Sequence, residues 1–73
     1  MSQLTEVVSV QVNGKAMSVK PGATLTSFLE SRNLHPRLVV VERNREIVAK
    51  SAYDSTILDE GDILEIAHFV GGG

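Results

Sequence analysis

The residues best suited to chemistry stand together at the end of the chain, in Ala67-His68-Phe69-Val70-Gly71-Gly72-Gly73. Glycines lack Cβ atoms, so Gly71 and Gly72 can thread a narrow channel and let another protein's backbone come close. Glycine also loses the most backbone entropy on ordering, which predicts a flexible tail over 71–73. An unbranched arm ending in a carboxylate suits delivery of an acyl group into another protein's active site. The bland alternative is that these glycines simply fray. Little else in the chain competes. With no cysteine there is no disulfide, no thiolate metal site and no thiol nucleophile. The two histidines, His35 and His68, are far apart in sequence, and no metal site is expected. Asp54, Asp59, Glu60 and Asp62 miss the spacing of a calcium loop and read as turn formers. No nucleophile–base pair stands out, so no catalytic residue is assigned and the chain does not read as an enzyme.

The elements that must position this arm follow from hydropathy and turn residues. Val8, Val10 and Val12 alternate with Ser9 and Gln11 at strand period. Asn13-Gly14 then supplies the positive φ angles of a type I′ turn. A two-residue loop pairs Val12 with Lys15, Val10 with Met17 and Val8 with Val19, which keeps the apolar pairs on one face. Pro21-Gly22 suits a type II turn, and Thr24 is placed to cap a helix. Leu25, Phe28 and Leu29 give that helix one apolar face. Asn33 can take the left-handed position after it, Leu34 can close its end, and Pro36 prevents a restart.

Leu38 to Val41 is an unbroken apolar run and predicts a strand. Asn44-Arg45 can turn the chain so that Glu42 meets Ile47 and Val41 meets Val48. Residues 49–58 read as irregular, anchored by Tyr53, Ile57 and Leu58. After a turn at Asp59-Glu60-Gly61-Asp62, a last strand is expected from Ile63 to about Val70, apolar enough to lie in the middle of its sheet. The most economical closure puts it beside the first strand and parallel to it. The expected fold is therefore α+β: a ubiquitin-like β-grasp, with a five-stranded mixed sheet packed on one main helix and a flexible C-terminal tail. Residues 1–70 form a single domain, 1–6 fraying, and 71–73 form the tail.

Length and composition agree. A chain of 73 residues has room for one domain, and 42% hydrophobic with 22% charged residues is a globular balance. A net charge of −2 argues against nucleic acid, and no apolar stretch is long enough to span a membrane. Residues 1–6 lack the features of a secretion signal, so a cytoplasmic protein is expected. In the last strand Leu64, Ile66 and His68 share one face, while Glu65, Ala67 and Phe69 share the other. Phe69 and Val70 are candidate partner-binding contacts, with packing of Phe69 under the Tyr53 loop as the alternative. His68 fits the inner or end face better than an acid–base role. Arg43, Arg45 and Lys50 could form a basic patch that steers an acidic partner, against the default of a solvated hairpin.

The chain resembles the thiamine-biosynthesis sulfur carriers, the ThiS family of small ubiquitin-like bacterial proteins, over nearly its whole length from Val8. The matching stretches are Val12-Asn13-Gly14-Lys15, the Thr24 to Leu29 helix, Val39 to Val48, and Gly61 to Gly73. The most specific are Val41-Glu42-Arg43-Asn44 and the His68-Phe69-Val70-Gly71-Gly72-Gly73 ending. Residues 1–6 extend beyond the family's usual start. The resemblance implies a carrier with no bound cofactor. Its Gly73 carboxylate would be adenylated with ATP by an activating enzyme and converted to a thiocarboxylate with sulfur from a persulfide donor. Thiazole synthase would then consume the sulfur in thiazole ring formation. Two alternatives share the same terminus: a sulfur carrier for molybdopterin synthesis, and a ubiquitin-like protein modifier conjugated through Gly73. A binding module with an inert tail is the alternative outside that chemistry.

Overall fold

The structure, a computed structural model, describes residues 6–68. The expectations for Phe69, Val70 and the 71–73 tail, and for fraying at residues 1–5, lie outside the described residues. The elements run β1 Val8–Val12, β2 Lys15–Val19, α1 Leu25–Ser31, β3 Val39–Arg43, β4 Glu46–Ile47 and β5 Ile63–His68. Short 3-10 turns at Pro36–Leu38 and Lys50–Ala52 flank β3 and β4.

Turn chemistry sets the hairpins. Asn13 and Gly14 have φ of 51° and 85°, the mirror-image turn that matches strand twist. The register is the one that the valine alternation requires, with Val8 opposite Val19, Val10 opposite Met17 and Val12 opposite Lys15. Asn44 and Arg45 have φ of 53° and 74° and make the second such turn, placing Glu42 opposite Ile47. At the start of α1 the Ser27 amide donates to Thr24 Oγ1 at 3.0 Å, while the Thr24 amide donates to Ser27 Oγ at 3.1 Å. This reciprocal cap satisfies two donors that a helix start leaves open. At the other end Asn33, at φ 61°, lets its own amide reach the Glu30 carbonyl and the Leu34 amide reach the Leu29 carbonyl. That is the hydrogen-bond pattern of a Schellman stop.

The sheet order is β2-β1-β5-β3-β4, with β5 parallel to β1 and antiparallel to β3. The helix covers one face. Leu25, Phe28 and Leu29 meet Val10, Val12, Val39, Val41 and Leu64 in a core completed by Tyr53 and Leu58. Leu25, Leu29, Val39, Val41 and Leu64 are fully buried. At about 2 kcal/mol for each fully buried aliphatic side chain, such burial is the main term holding so small a domain together.

Two sequence expectations need correction. Leu38 is not in the strand: His35 caps the Pro36–Leu38 turn, its Nδ1 accepting from the Arg37 amide, and Leu38 is left 51% exposed. Ile57 is not an anchor either, at 44% exposed, because Tyr53 and Leu58 already fill the space beneath that segment.

Candidate functional site

The strand that precedes the glycines in the sequence is β5, and its surroundings decide how the described chain is held up to His68. Leu64 is fully buried and Ile66 packs half-buried against the core, so one face of β5 is locked to the helix layer. On the β3 side the pairing continues to the last described residue, with Val41 opposite Ile66, Val40 opposite Ala67 and Val39 opposite His68. β4 is too short to continue alongside the start of β3. The Val39 carbonyl is instead taken by Lys50 Nζ at 2.6 Å and by the Tyr53 hydroxyl at 3.1 Å. Lys50 also lies over the Tyr53 ring, 5.4 Å from its centre, within cation–π range. Burial pushes the Tyr53 phenol above its ordinary pKa. It is therefore a neutral donor at physiological pH.

On the β1 side the pairing stops earlier. Gln11 stands opposite Ile63 and Val12 opposite Leu64, after which the chain turns away at Asn13. The Asn13 amide still donates to the Leu64 carbonyl at 2.9 Å. Its side chain then accepts from the Ile66 amide at 2.8 Å and donates to the Ile66 carbonyl at 3.1 Å.

The other end of β5 is fastened by charge. Asp62 is 5% exposed and accepts from Arg43 Nε at 2.8 Å, from Asn44 Nδ2 at 3.0 Å and from the Asp59 amide at 2.8 Å. Burial pushes this carboxyl up. The Asp59 amide, Asn44 and the Arg43 guanidinium together outweigh burial and hold it below the usual carboxylate range. Arg43 also reaches Asp59 at 3.1 Å and the Ile57 carbonyl at 3.2 Å.

These contacts revise the expected basic patch. Arg43, half-buried, is committed to Asp59 and Asp62, and Lys50, although exposed, donates to the Val39 carbonyl, so two of the three cations are engaged within the domain. Two of the acidic residues expected only to form turns bond to distant elements: Glu60 Oε1 accepts the Ser9 amide at 2.9 Å, and Asp54 accepts the Thr26 hydroxyl at 2.6 Å. Leu64 and Ile66 share the inner face, as expected. His68 lies at the end of that face, beside a hollow of about 270 Å³ that it shares with Arg32, Leu34 and Phe28. Among the described residues, no group of three or more His, Cys, Asp and Glu could hold a metal. No helix among them is long and apolar enough to cross a membrane. The residues that sequence reasoning passed over are Asn13 and Asn44, read only as turn residues. Both side chains bond to β5, and the only local signal was their shared place at the head of a turn.

The model of the ThiS family matches residues 10–73. The chain belongs to the ThiS family. It is 43% identical over 65 residues to the sulfur carrier protein ThiS of Bacillus subtilis, a match covering 88% of this chain and 98% of that one. The crystal structure of the thiamine biosynthesis protein ThiS from Geobacter metallireducens superposes with a TM-score of 0.77 at 32% identity, covering 90% of this chain and 100% of that one. The β-grasp expected from the order of elements is thus the fold of a ThiS protein. A thiazole synthase of Magnetococcus marinus is 35% identical over 66 residues, a match covering 90% of this chain but 20% of that protein. The chain therefore spans about a fifth of the length of that thiazole synthase. As a ThiS-family member it is a sulfur carrier of thiamine biosynthesis.

Proposed function

We propose that the carrier works through the Gly73 carboxylate, which is adenylated, converted to a thiocarboxylate and used as the sulfur source for thiazole ring formation by thiazole synthase. The carrying observation is the ThiS-family match, which runs through the glycines to residue 73 on a fold whose central strand leads toward them. A carboxylate resists nucleophilic attack. Attack of its oxygen on the α-phosphorus of ATP expels pyrophosphate and creates an acyl-phosphate anhydride with AMP as leaving group. The outer sulfur of a persulfide can then displace AMP to give an acyl disulfide. Attack of a second thiol on the donor's sulfur splits the S–S bond, leaving the thiocarboxylate on the chain and a disulfide on the donor, so the sulfur is never released as free sulfide. Gly71 and Gly72 suit passage through a narrow channel, and Phe69 and Val70 are the proposed docking contacts beside them.

The activating enzyme supplies the ATP site and a separate donor supplies the persulfide. That thiazole synthase receives the sulfur is supported by the relative of that name, which carries a stretch similar to this chain as about a fifth of its length. The test is the intact mass of the chain after incubation with ATP, the activating enzyme and a sulfur source. Exchange of one terminal oxygen for sulfur is the expected result, and adding one alanine after Gly73 should abolish it. Coupled thiazole formation then separates thiamine supply from delivery to another product. An unchanged mass, or sulfur uptake by the alanine-extended chain, would overturn the reading.

A further inference from the structure

β5 outruns its partner on one side. Pairing with β1 ends at Leu64, yet β5 continues to His68, so its last residues would be held by β3 alone. The Asn13 side chain fills the gap. Its carboxamide accepts the Ile66 amide and donates to the Ile66 carbonyl, the two kinds of bond that the backbone of β1 would supply if the strand continued. The left-handed φ of 51° lets one residue do both tasks, starting the turn with its backbone and extending the ladder with its side chain. The clamp closes on the residue two before His68, at the border of the segment that the proposed function sends into a partner.

Resting on that function, we propose that Asn13 is a positioning residue, holding the outgoing end of β5 in the conformation that partners dock. Order already present in the free carrier need not be supplied at encounter. Loss of the clamp should therefore weaken recognition without slowing the chemistry on a carrier that is already bound.

The test compares Asn13→Gly, which keeps the turn and deletes the clamp, with Asn13→Asp, which keeps the acceptor for the Ile66 amide and loses the donor. Asn44→Gly is the control, because it removes a similar side-chain bond at Ile63, the far end of the same strand. Two quantities are read: hydrogen exchange of the Ile66 amide, and the KM and kcat of ATP-dependent adenylation by the activating enzyme with the carrier varied. For Asn13→Gly, exchange at Ile66 should rise and the KM for the carrier should increase about three- to tenfold, with kcat within about twofold, as expected for losing one or two net hydrogen bonds. Asn13→Asp should fall between wild type and Asn13→Gly, and it carries the test should the glycine variant not fold. Asn44→Gly should lower thermal stability and leave KM unaltered. An unchanged KM in both Asn13 variants, or an equal rise in Asn44→Gly, overturns the positioning role. Wild-type chain that is not adenylated at all overturns the proposed function and the positioning role together. Wild type that is adenylated with variants indistinguishable from it overturns only the positioning role.

Discussion

Two turns of the same design hold β5 in different ways. Asn13-Gly14 and Asn44-Arg45 are both two-residue turns with left-handed φ at both positions, and each asparagine side chain reaches the central strand. Asn44 serves the incoming end. Its own amide donates to the Ile63 carbonyl at 2.8 Å and its Oδ1 accepts the Ile63 amide at 2.9 Å, while its Nδ2 is tied to buried Asp62. Asn13 serves the outgoing end with neutral bonds at an exposed position. Neutral hydrogen bonds contribute about 1 kcal/mol each net, and bonds to a charged group roughly twice that. The incoming end is therefore built to hold, and the outgoing end is held lightly, close to the residues proposed to enter a partner.

The strongest way to break this contrast is Arg43→Met. It strands the Asp62 carboxylate, 7% exposed, without its cation. A loss of about 3 kcal/mol in urea unfolding is expected, the low end for a disrupted buried pair. A loss below about 1 kcal/mol would show that the incoming end is no firmer than the outgoing one.

Acid should probe the same asymmetry more gently, because protonation neutralises Asp62 without leaving it charged and unpaired. The folded carboxyl titrates below its unfolded value of about 3.9, so its contribution is complete above that value and is lost as pH falls through the lower folded pKa. Urea midpoints should decline through this range in the wild type and less so in Asp62→Asn. Equal declines in the two proteins would assign acid sensitivity to other carboxylates.

The smallest effects concern the second residue of each turn. Arg45 holds a left-handed φ of 74° that Gly14 adopts without a Cβ. Arg45→Gly should relieve strain and raise thermal stability by about 0.5–1 kcal/mol, whereas Gly14→Ala should cost about 1 kcal/mol. Opposite signs in thermal melts would confirm that the two backbones are alike and only the residue differs.

What the sequence made legible was whatever depends on near neighbours. Asn-Gly and the valine alternation dictated the first hairpin to the residue, and Thr24, Leu25, Phe28, Leu29 and Asn33 dictated the helix. The placement of the last strand beside the first could also be read, since a strand with one charged residue needs cover on both sides. The second function of each asparagine could not. Asn13 meets Ile66 across 53 positions and Asn44 meets Ile63 across 19, contacts created only by sheet closure. The burial of Asp62 was hidden for the same reason: four acids in nine residues look solvated until Arg43 arrives from another strand. Leu38 was misplaced because Pro36 and the His35 ring started a short helical turn that an apolar run does not announce. The arm itself was legible as chemistry, and the family match supports that reading by extending through residue 73.

The centre of the sheet is also its latest described strand, since β5 lies between β1 and β3 yet begins at residue 63. On a ribosome, the two hairpins emerge with no common neighbour, and the sheet can close only after residue 68 has left the exit tunnel. A chain stopped short of that point lacks its middle strand and stays open to proteases. Closure of the sheet and the approach of the chain to the glycines are thus one event: a polypeptide stopped before β5 completes neither.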